Sequence, residues 1–236
     1  MFERAHQQRI ARVLEALDGA LLAQHGCLFG GGTCIALRFG EYRESVDIDF
    51  LVASADGYRA LRQRLTGAEG LNALVRHGAP ALRMTRDVRA DQYGIRTEVQ
   101  MDGAAIKFEI VREARIAFEA PRADDRVCGV PSLRVVDLVA SKLLANSDRH
   151  ADDGVFSRDL IDLAMINPRL PLLRAALAKA GTAYGESVAR DLTRAIDAMQ
   201  RRDGWLERCM HAMAMTVPRA LVWQRVRALR RVLPPR

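Results

Sequence analysis

Two aspartates separated by a single residue, Asp47 and Asp49, close the stretch FGGGTCIALRFGEYRESVDIDF that begins at Phe29. In an extended segment, residues two apart point to the same side. The two carboxylates then share a face, and Val46, Ile48 and Phe50 are expected to pack on the other. Carboxylates that close repel each other, and burial would raise the pKa of one of them. A divalent cation removes the conflict, and Mg²⁺ prefers hard oxygen ligands while keeping waters or substrate phosphates in its remaining positions. The pair therefore reads as half of a phosphate-handling metal site. Taken alone, it reads more readily as a solvated strand face or an Asp turn.

The glycines just upstream weigh on that choice. Gly31, Gly32 and Thr33 fall between a short apolar run and a helical pattern. Glycine lets the backbone approach a ligand closely, the free N–H groups of a first helical turn face an anion, and Thr33 adds a hydroxyl as cap or phosphate donor. The stretch has neither the Walker loop with its lysine nor the dinucleotide fingerprint. Arg43 and Ser45, just ahead of the aspartates, read either as groups that orient a triphosphate or as ordinary loop residues. A third acid is wanted on an adjacent strand. Lys107 and Glu109 project from one face of a strand whose other face carries Ile106, Phe108 and Ile110, which makes Glu109 the candidate. Glu98 is its rival; Asp102 is better explained by a turn.

These residues must be positioned by a mixed set of elements. A helix is expected over residues 5–24, a short strand at 27–29, a helix from 33 to 39, a strand at 46–52 and a helix at 58–65. Residues 66–94 show no clear pattern. Strands at 95–100 and 105–112 flank Asp102-Gly103, a strong hairpin signal. From Ser132 onward the pattern is helical: 133–146, 158–165, 170–180, a stretch near 183–200, and 205 to about 232. The change falls near 120–131, where Pro121 and Pro131 bracket a charged stretch, so domains are expected over 1–125 and 126–236.

Within the helical half, Lys142 and Arg149 lie seven residues apart and share a helix face. Lys142 sits among Val139, Leu143 and Leu144, which fits a partly buried stem under a cation facing the aspartates, or equally a lysine reaching out to solvent. Further on, Ser157 is a good helix cap, Asp159 suits a first helical turn, and Arg158 and Asp162 are spaced for a surface ion pair.

The composition narrows the partners. The chain has 236 residues with 49% hydrophobic, 28% charged and a net charge of +7. That is an ordinary globular composition whose charge favours polyanions. No apolar run is long enough to span a bilayer, and the first residues, MFERAHQQRI, do not resemble a secretion signal. Cys27, Cys34, Cys128 and Cys209 are scattered, as expected of reduced thiols in a cytoplasm. The five histidines are too dispersed for a zinc site.

The string Gly31-Gly32-Thr33 … Arg43-x-Ser45-x-Asp47-x-Asp49-Phe50 resembles the DNA polymerase β-like nucleotidyltransferase superfamily. More narrowly, with LVASKLLANSDR and SRDLIDL in the second half, it resembles the AbiEii/AbiGii toxin branch. The resemblance implies an α+β fold: a small twisted mixed sheet carrying the site, followed by a helical C-terminal part. It implies transfer of NMP from an NTP to an acceptor. On the matching positions, Asp47 and Asp49 bind Mg²⁺ and Gly31, Gly32 and Thr33 cradle phosphates. Lys142 and Arg158 contact the nucleotide or acceptor, joined by Arg149 through the helix face it shares with Lys142, and Asp159 is a structural or base-like acid. Two Mg²⁺ ions on Asp47, Asp49 and Glu109 would support in-line displacement. The expected acceptor is RNA, a tRNA 3′ end above all, gripped by Arg219, Arg225, Arg227, Arg230 and Arg231. Transfer to a protein or small molecule, and a catalytically silent nucleotide-binding module, are the alternatives. The toxin branch also implies a cognate antitoxin. One departure is the SDRHADDGVF segment, longer and more acidic than the branch's link, whose Asp148, Asp152 and Asp153 face solvent or a partner.

Overall fold

Strict alternation along two short segments builds the centre of the molecule. In the computed structural model, which describes residues 2–233, the chain divides into two compact units: residues 1–38 with 45–134, and residues 39–44 with 135–236. Met1 and residues 234–236, the outer ends of the expected domains, lie outside the described residues.

The first unit holds four helices, α1 (Ala5–Ala16), α2 (Gly19–Gln24), α3 (Gly31–Arg38) and α4 (Ala55–Leu65). Its strands are β1 (Cys27–Phe29), β2 (Ile48–Val52), β3 (Arg83–Ala90), β4 (Gly94–Met101), β5 (Ala104–Arg112), β6 (Arg126–Val127) and β7 (Val130–Pro131). The main sheet has the order β1-β2-β5-β4-β3. β2 and β5 run parallel, and the other neighbouring pairs run antiparallel. Ile48, Phe50 and Val52 of β2 and Ile106, Phe108 and Ile110 of β5 are buried on one face. Phe29, Phe50 and Phe108 form a chain of tilted rings there, with successive centroids 5.5 Å apart. The β4–β5 hairpin turns on Asp102 (φ 47°) and Gly103 (φ 78°), the left-handed pair that a two-residue hairpin requires.

Several expectations shift. The helix expected over 5–24 is broken, because Asp18 caps α2 by accepting from the N–H groups of Ala20 and Leu21. β2 starts at Ile48, so Asp47 precedes the strand, and Val46 is 48% exposed instead of packed. The unpatterned region 66–94 holds a 3₁₀ turn (Gly70–Leu74) and β3. β3 is an edge strand with Met84, Val88 and Ala90 only half-buried, and its register against β4 shifts between Met84 and Arg86 and again between Arg86 and Arg89, which blurs the period-two signal. The proline-bracketed stretch near 121–131 forms the β6–β7 hairpin within this unit, and the division falls after Arg134.

The second unit is helical: α5 (Val135–Arg149), α6 (Arg158–Ile166), α7 (Leu170–Tyr184), α8 (Ser187–Arg201), α9 (Trp205–Ala212) and α10 (Arg219–Ala228). The long helix expected from 205 is interrupted at residues 213–218, where Ala214 takes φ 47° and Pro218 precedes α10. Residues 39–44, which link α3 to β2 in sequence, belong to this unit. The Glu44 N–H donates to the Met213 carbonyl at 3.0 Å, and the Tyr42 carbonyl accepts from Thr216 at 3.3 Å. Among the described residues, no helix is long and apolar enough to cross a membrane.

Candidate functional site

The glycine turn lies directly on the strand that carries Asp49. The Gly30 N–H donates to the Asp49 carbonyl at 2.9 Å. Gly31 has φ +66°, and a Cβ placed there would stand 2.4 Å from Asp49 Oδ2. Both facts require glycine: a side chain would be strained by the backbone and would collide with the carboxylate. Thr33 is fully buried, and its hydroxyl lies within hydrogen-bond distance of the Ser45 hydroxyl (2.8 Å) and the Asp47 carbonyl. Thr33 thus staples the first turn of α3 to the segment entering β2, instead of presenting its hydroxyl outward. Ser45, Asp47, Asp49, Gly31 and Gly32 remain half-buried.

Register decides which acid stands beside the pair. Asp49 of β2 is directly opposite Glu109 of β5, on the face turned away from Phe50 and Phe108. Glu98 lies a strand farther off on β4, opposite Lys107. Glu109 is held by Arg96 at 2.9 Å and by Lys107 at 2.9 Å. Partial burial disfavours the charged Lys107, but its pairing with Glu109 and the field of Asp47 and Asp49 outweigh this and raise its pKa. Among the described residues, no group of three or more His, Cys, Asp or Glu is placed to hold a metal ion. The hard oxygens of Asp47 and Asp49 suit a divalent cation completed by phosphates and water, which is how Mg²⁺ is commonly bound. Glu109, the third carboxylate of the expected set, is engaged by its two cations.

The cations expected at the nucleotide sit in a different environment, inside the helical unit. Arg43 is 3% exposed and grips Asp162 with two bonds, Nε to Oδ1 at 2.7 Å and Nη2 to Oδ2 at 3.0 Å. The Tyr42 hydroxyl donates to the same carboxylate at 2.6 Å. Lys142, 6% exposed, bridges Asp162 (2.7 Å) and Asp159 (2.8 Å). Arg149 closes the chain on Asp159 at 2.6 and 2.9 Å. Burial alone would push both carboxylates toward the neutral form. Arg43 and Lys142 around Asp162, and Lys142 and Arg149 around Asp159, outweigh it and hold both below the usual range. Tyr42 is pushed the other way, its phenol kept protonated by burial and by Asp162. Buried charge must be paired, and this is why Lys142 is tied to carboxylates.

The remaining expectations fall as follows. Arg158 is half-buried and makes no ion pair among the described residues; Asp162, its expected partner four residues on, is taken by Arg43 and Lys142. Ser157 makes no cap bond and instead accepts from Trp205 Nε1 at 2.9 Å. Asp148 accepts from Tyr184, Asp152 from the Gly154 N–H, and Asp153 pairs with Arg202. The C-terminal arginines are largely engaged: Arg219 with Glu207, Arg230 with Asp197, Arg225 and Arg231 with backbone carbonyls, and Arg227 over the Trp223 ring. Sequence reasoning missed Tyr42, Arg96 and the central place of Asp162. For Arg96 a signal existed, since it lies opposite Glu109 once the Asp102-Gly103 turn sets the register.

Among solved structures, the chain is similar to a candidate nucleotidyltransferase from H. pylori, with 15% identity, a TM-score of 0.49, and coverage of 99% of this chain and 97% of that one. It is also similar to JHP933 from Helicobacter pylori, with 16% identity, a TM-score of 0.47, and coverage of 99% and 95%. No curated protein matches it. The family model for the nucleotidyl transferase AbiEii toxin of type IV toxin–antitoxin systems matches residues 12–228, nearly the whole chain. The chain belongs to the AbiEii nucleotidyl transferase toxin family of type IV toxin–antitoxin systems.

Proposed function

We propose that this toxin-family nucleotidyltransferase transfers NMP from an NTP to the 3′ end of an RNA, with tRNA as the preferred acceptor, in the cytoplasm and under control of a cognate antitoxin. The observation that carries the reading is the contact of Gly31 with Asp49, reinforced by the Thr33 staple to Ser45 and Asp47. It joins a backbone anion cradle to a carboxylate pair within one unit. Gly31, Gly32 and the N–H of Thr33 bind the triphosphate at the start of α3. Asp47 and Asp49, with Glu109 as the third carboxylate, are the residues that would hold Mg²⁺. The metal would supply Lewis-acid neutralisation of phosphoryl charge and align the displacement. Ser45 orients the phosphates. Arg158 is the cation open to nucleotide or acceptor. Lys142 and Arg149, fixed by Asp159, and Arg43, fixed by Asp162, are held in set positions within the helical unit, from which they serve the nucleotide or acceptor.

Labelled NTPs are to be incubated with the protein and with separate RNA, protein and metabolite fractions. Mg²⁺-dependent label in the RNA fraction, lost on Asp49→Asn, is the expected result. Label in the protein or metabolite fraction would reassign the acceptor. Absence of label from every fraction, with NTP binding retained, would leave a silent nucleotide-binding module.

A further inference from the structure

We infer that the cationic groove across β3, β4 and β5 is the seat of the acceptor, and that it receives the phosphodiester backbone of a single-stranded RNA. The inference rests on the nucleotidyl-transfer reading and adds where the acceptor lies. The groove has a volume of about 820 Å³. Its lining carries Arg86, Arg89, Arg96 and Lys107 against only two acids, Asp87 and Glu98.

Register places this groove on the working face of the sheet. Arg89 is opposite Arg96, Arg86 opposite Glu98, Arg96 opposite Glu109 and Glu98 opposite Lys107. Glu109 is in turn opposite Asp49. Directly opposed residues share a face, so one continuous row of charge runs from the Asp pair to the sheet edge. Three strand spacings, about 14 Å, separate β2 from β3. That reach is suited to a chain extending away from the reacting end, while the triphosphate has its own cradle at Gly31. Lys107, in the groove lining and 2.9 Å from Glu109, which is opposite Asp49, marks where the groove meets the site.

Arg96 and Lys107 are paired with Glu109, but the two arginines of β3 are available to a ligand. Arg86 keeps 75% of its side chain exposed and stands 3.7 Å from Glu98. Arg89 is exposed and pairs with no carboxylate among the described residues. At the tip of the β3–β4 hairpin, Tyr93 is 66% exposed. A positive groove beside an exposed aromatic ring is the pairing used to track a single strand and stack its bases. Apolar anchors of the sort that protein interfaces need are few: besides Tyr93, Val46 is the one other exposed large hydrophobic residue among those described.

The test is fluorescence anisotropy with a labelled single-stranded RNA of about 12 nucleotides, in the absence of NTP and metal. Arg86→Glu with Arg89→Glu is expected to weaken binding at least about tenfold at about 100 mM salt, and to flatten the log–log salt slope by about 1.4, two phosphate contacts' worth. Tyr93→Ala is expected to weaken it about fivefold. Circular dichroism checks folding, and the milder Arg86→Ala with Arg89→Ala is read in the same way. RNA affinity within about twofold of the parent in these variants, with an unchanged salt slope, overturns the inference. Displacement of the RNA by poly-glutamate at equal charge concentration also overturns it, and marks an acidic-protein surface instead. A protein that binds RNA through these residues yet transfers no nucleotide refutes the proposed reaction and leaves the groove standing. Transfer to RNA with an unchanged KM in the double variant does the reverse.

Discussion

Arg86 in the sheet unit and Arg43 in the helical unit are the same residue type in opposite circumstances. Arg86 keeps 75% of its side chain in solvent, 3.7 Å from Glu98, while Arg43 keeps 3% and is clamped bidentately on Asp162. The contrast holds for their neighbourhoods. Around Arg86 the groove lining is open and Arg89 too is exposed; around Arg43, Tyr42, Lys142, Asp159, Asp162 and Arg149 form one chain of short bonds. The difference teaches that a basic residue says little about binding until its burial is known. Desolvation forces a buried cation to take an internal carboxylate, whereas an exposed one, weakly paired and screened, stays open to a polyanion. By the same measure the C-terminal arginines, mostly engaged within their own unit, are less open to a polyanion than Arg86 and Arg89.

The sharpest way to break this comparison is to make one substitution in both units. Asp49→Asn is expected to lower nucleotide transfer about 1,000-fold, roughly 4 kcal/mol of transition-state stabilisation, with little change in the urea midpoint. Asp162→Asn leaves Arg43 and Lys142 without their shared counter-charge and is expected to cost about 3–5 kcal/mol of stability, read as a lowered urea midpoint. If Asp162→Asn proves as stable as the parent while Asp49→Asn unfolds, the division between open site and internal network fails.

A smaller effect sharpens the picture of the site. Gly31→Ala places a methyl group against Asp49 and forces a left-handed alanine. It is expected to cost about 1–2 kcal/mol yet reduce transfer about 100-fold, because a carboxylate displaced by about 1 Å no longer aligns the reacting groups. Equal losses by both readouts would reduce Gly31 to a packing role.

The smallest expected change is no change at all across the neutral range. Asp159 and Asp162 have depressed pKa values in the folded chain. Their contribution is complete above the unfolded value of about 4 and is lost as pH falls through the folded values. Tyr42 has a raised pKa, so its contribution is complete below about 10 and is lost as pH rises through the folded value. Urea midpoints are therefore expected to be flat between about pH 5 and 9 from this network, and Asp162→Asn should soften the acid limb. A midpoint that shifts near pH 7 in the parent but not in the Asp162 variant would show that the network titrates there.

The legible parts of the molecule are those coded by near neighbours. Asp102-Gly103 announces its turn, residues 106–110 alternate strictly, and the spacing of Gly31, Thr33, Asp47 and Asp49 singles out the region where the turn meets the strand. The illegible parts involve partners far apart in sequence. β3 carries no clear apolar alternation because it is an edge strand, at best half-buried, whose register against β4 shifts twice. Leu17 and Asp18 interrupt an otherwise continuous apolar helix pattern because Asp18 caps α2 and donates its N–H to the Leu74 carbonyl. Nothing near residue 42 indicates that Tyr42 and Arg43 leave the sheet unit to meet Asp162, about 120 positions on.

By itself, the sequence determined the family, the mixed-then-helical order of the chain, and the two carboxylates beside a glycine turn. These depend on backbone preferences and on side-chain periodicity, which act over a few residues. Only the tertiary structure decided that Glu109 faces Asp49, that the Thr33 hydroxyl is turned inward as a staple, and that Arg43 and Lys142 are locked on acids while Arg86 and Arg89 are open. Whether a charge is available or already neutralised depends on its burial and on the carboxylate the fold brings to it. Both are set by strand register and helix packing between distant segments, which local pattern does not encode.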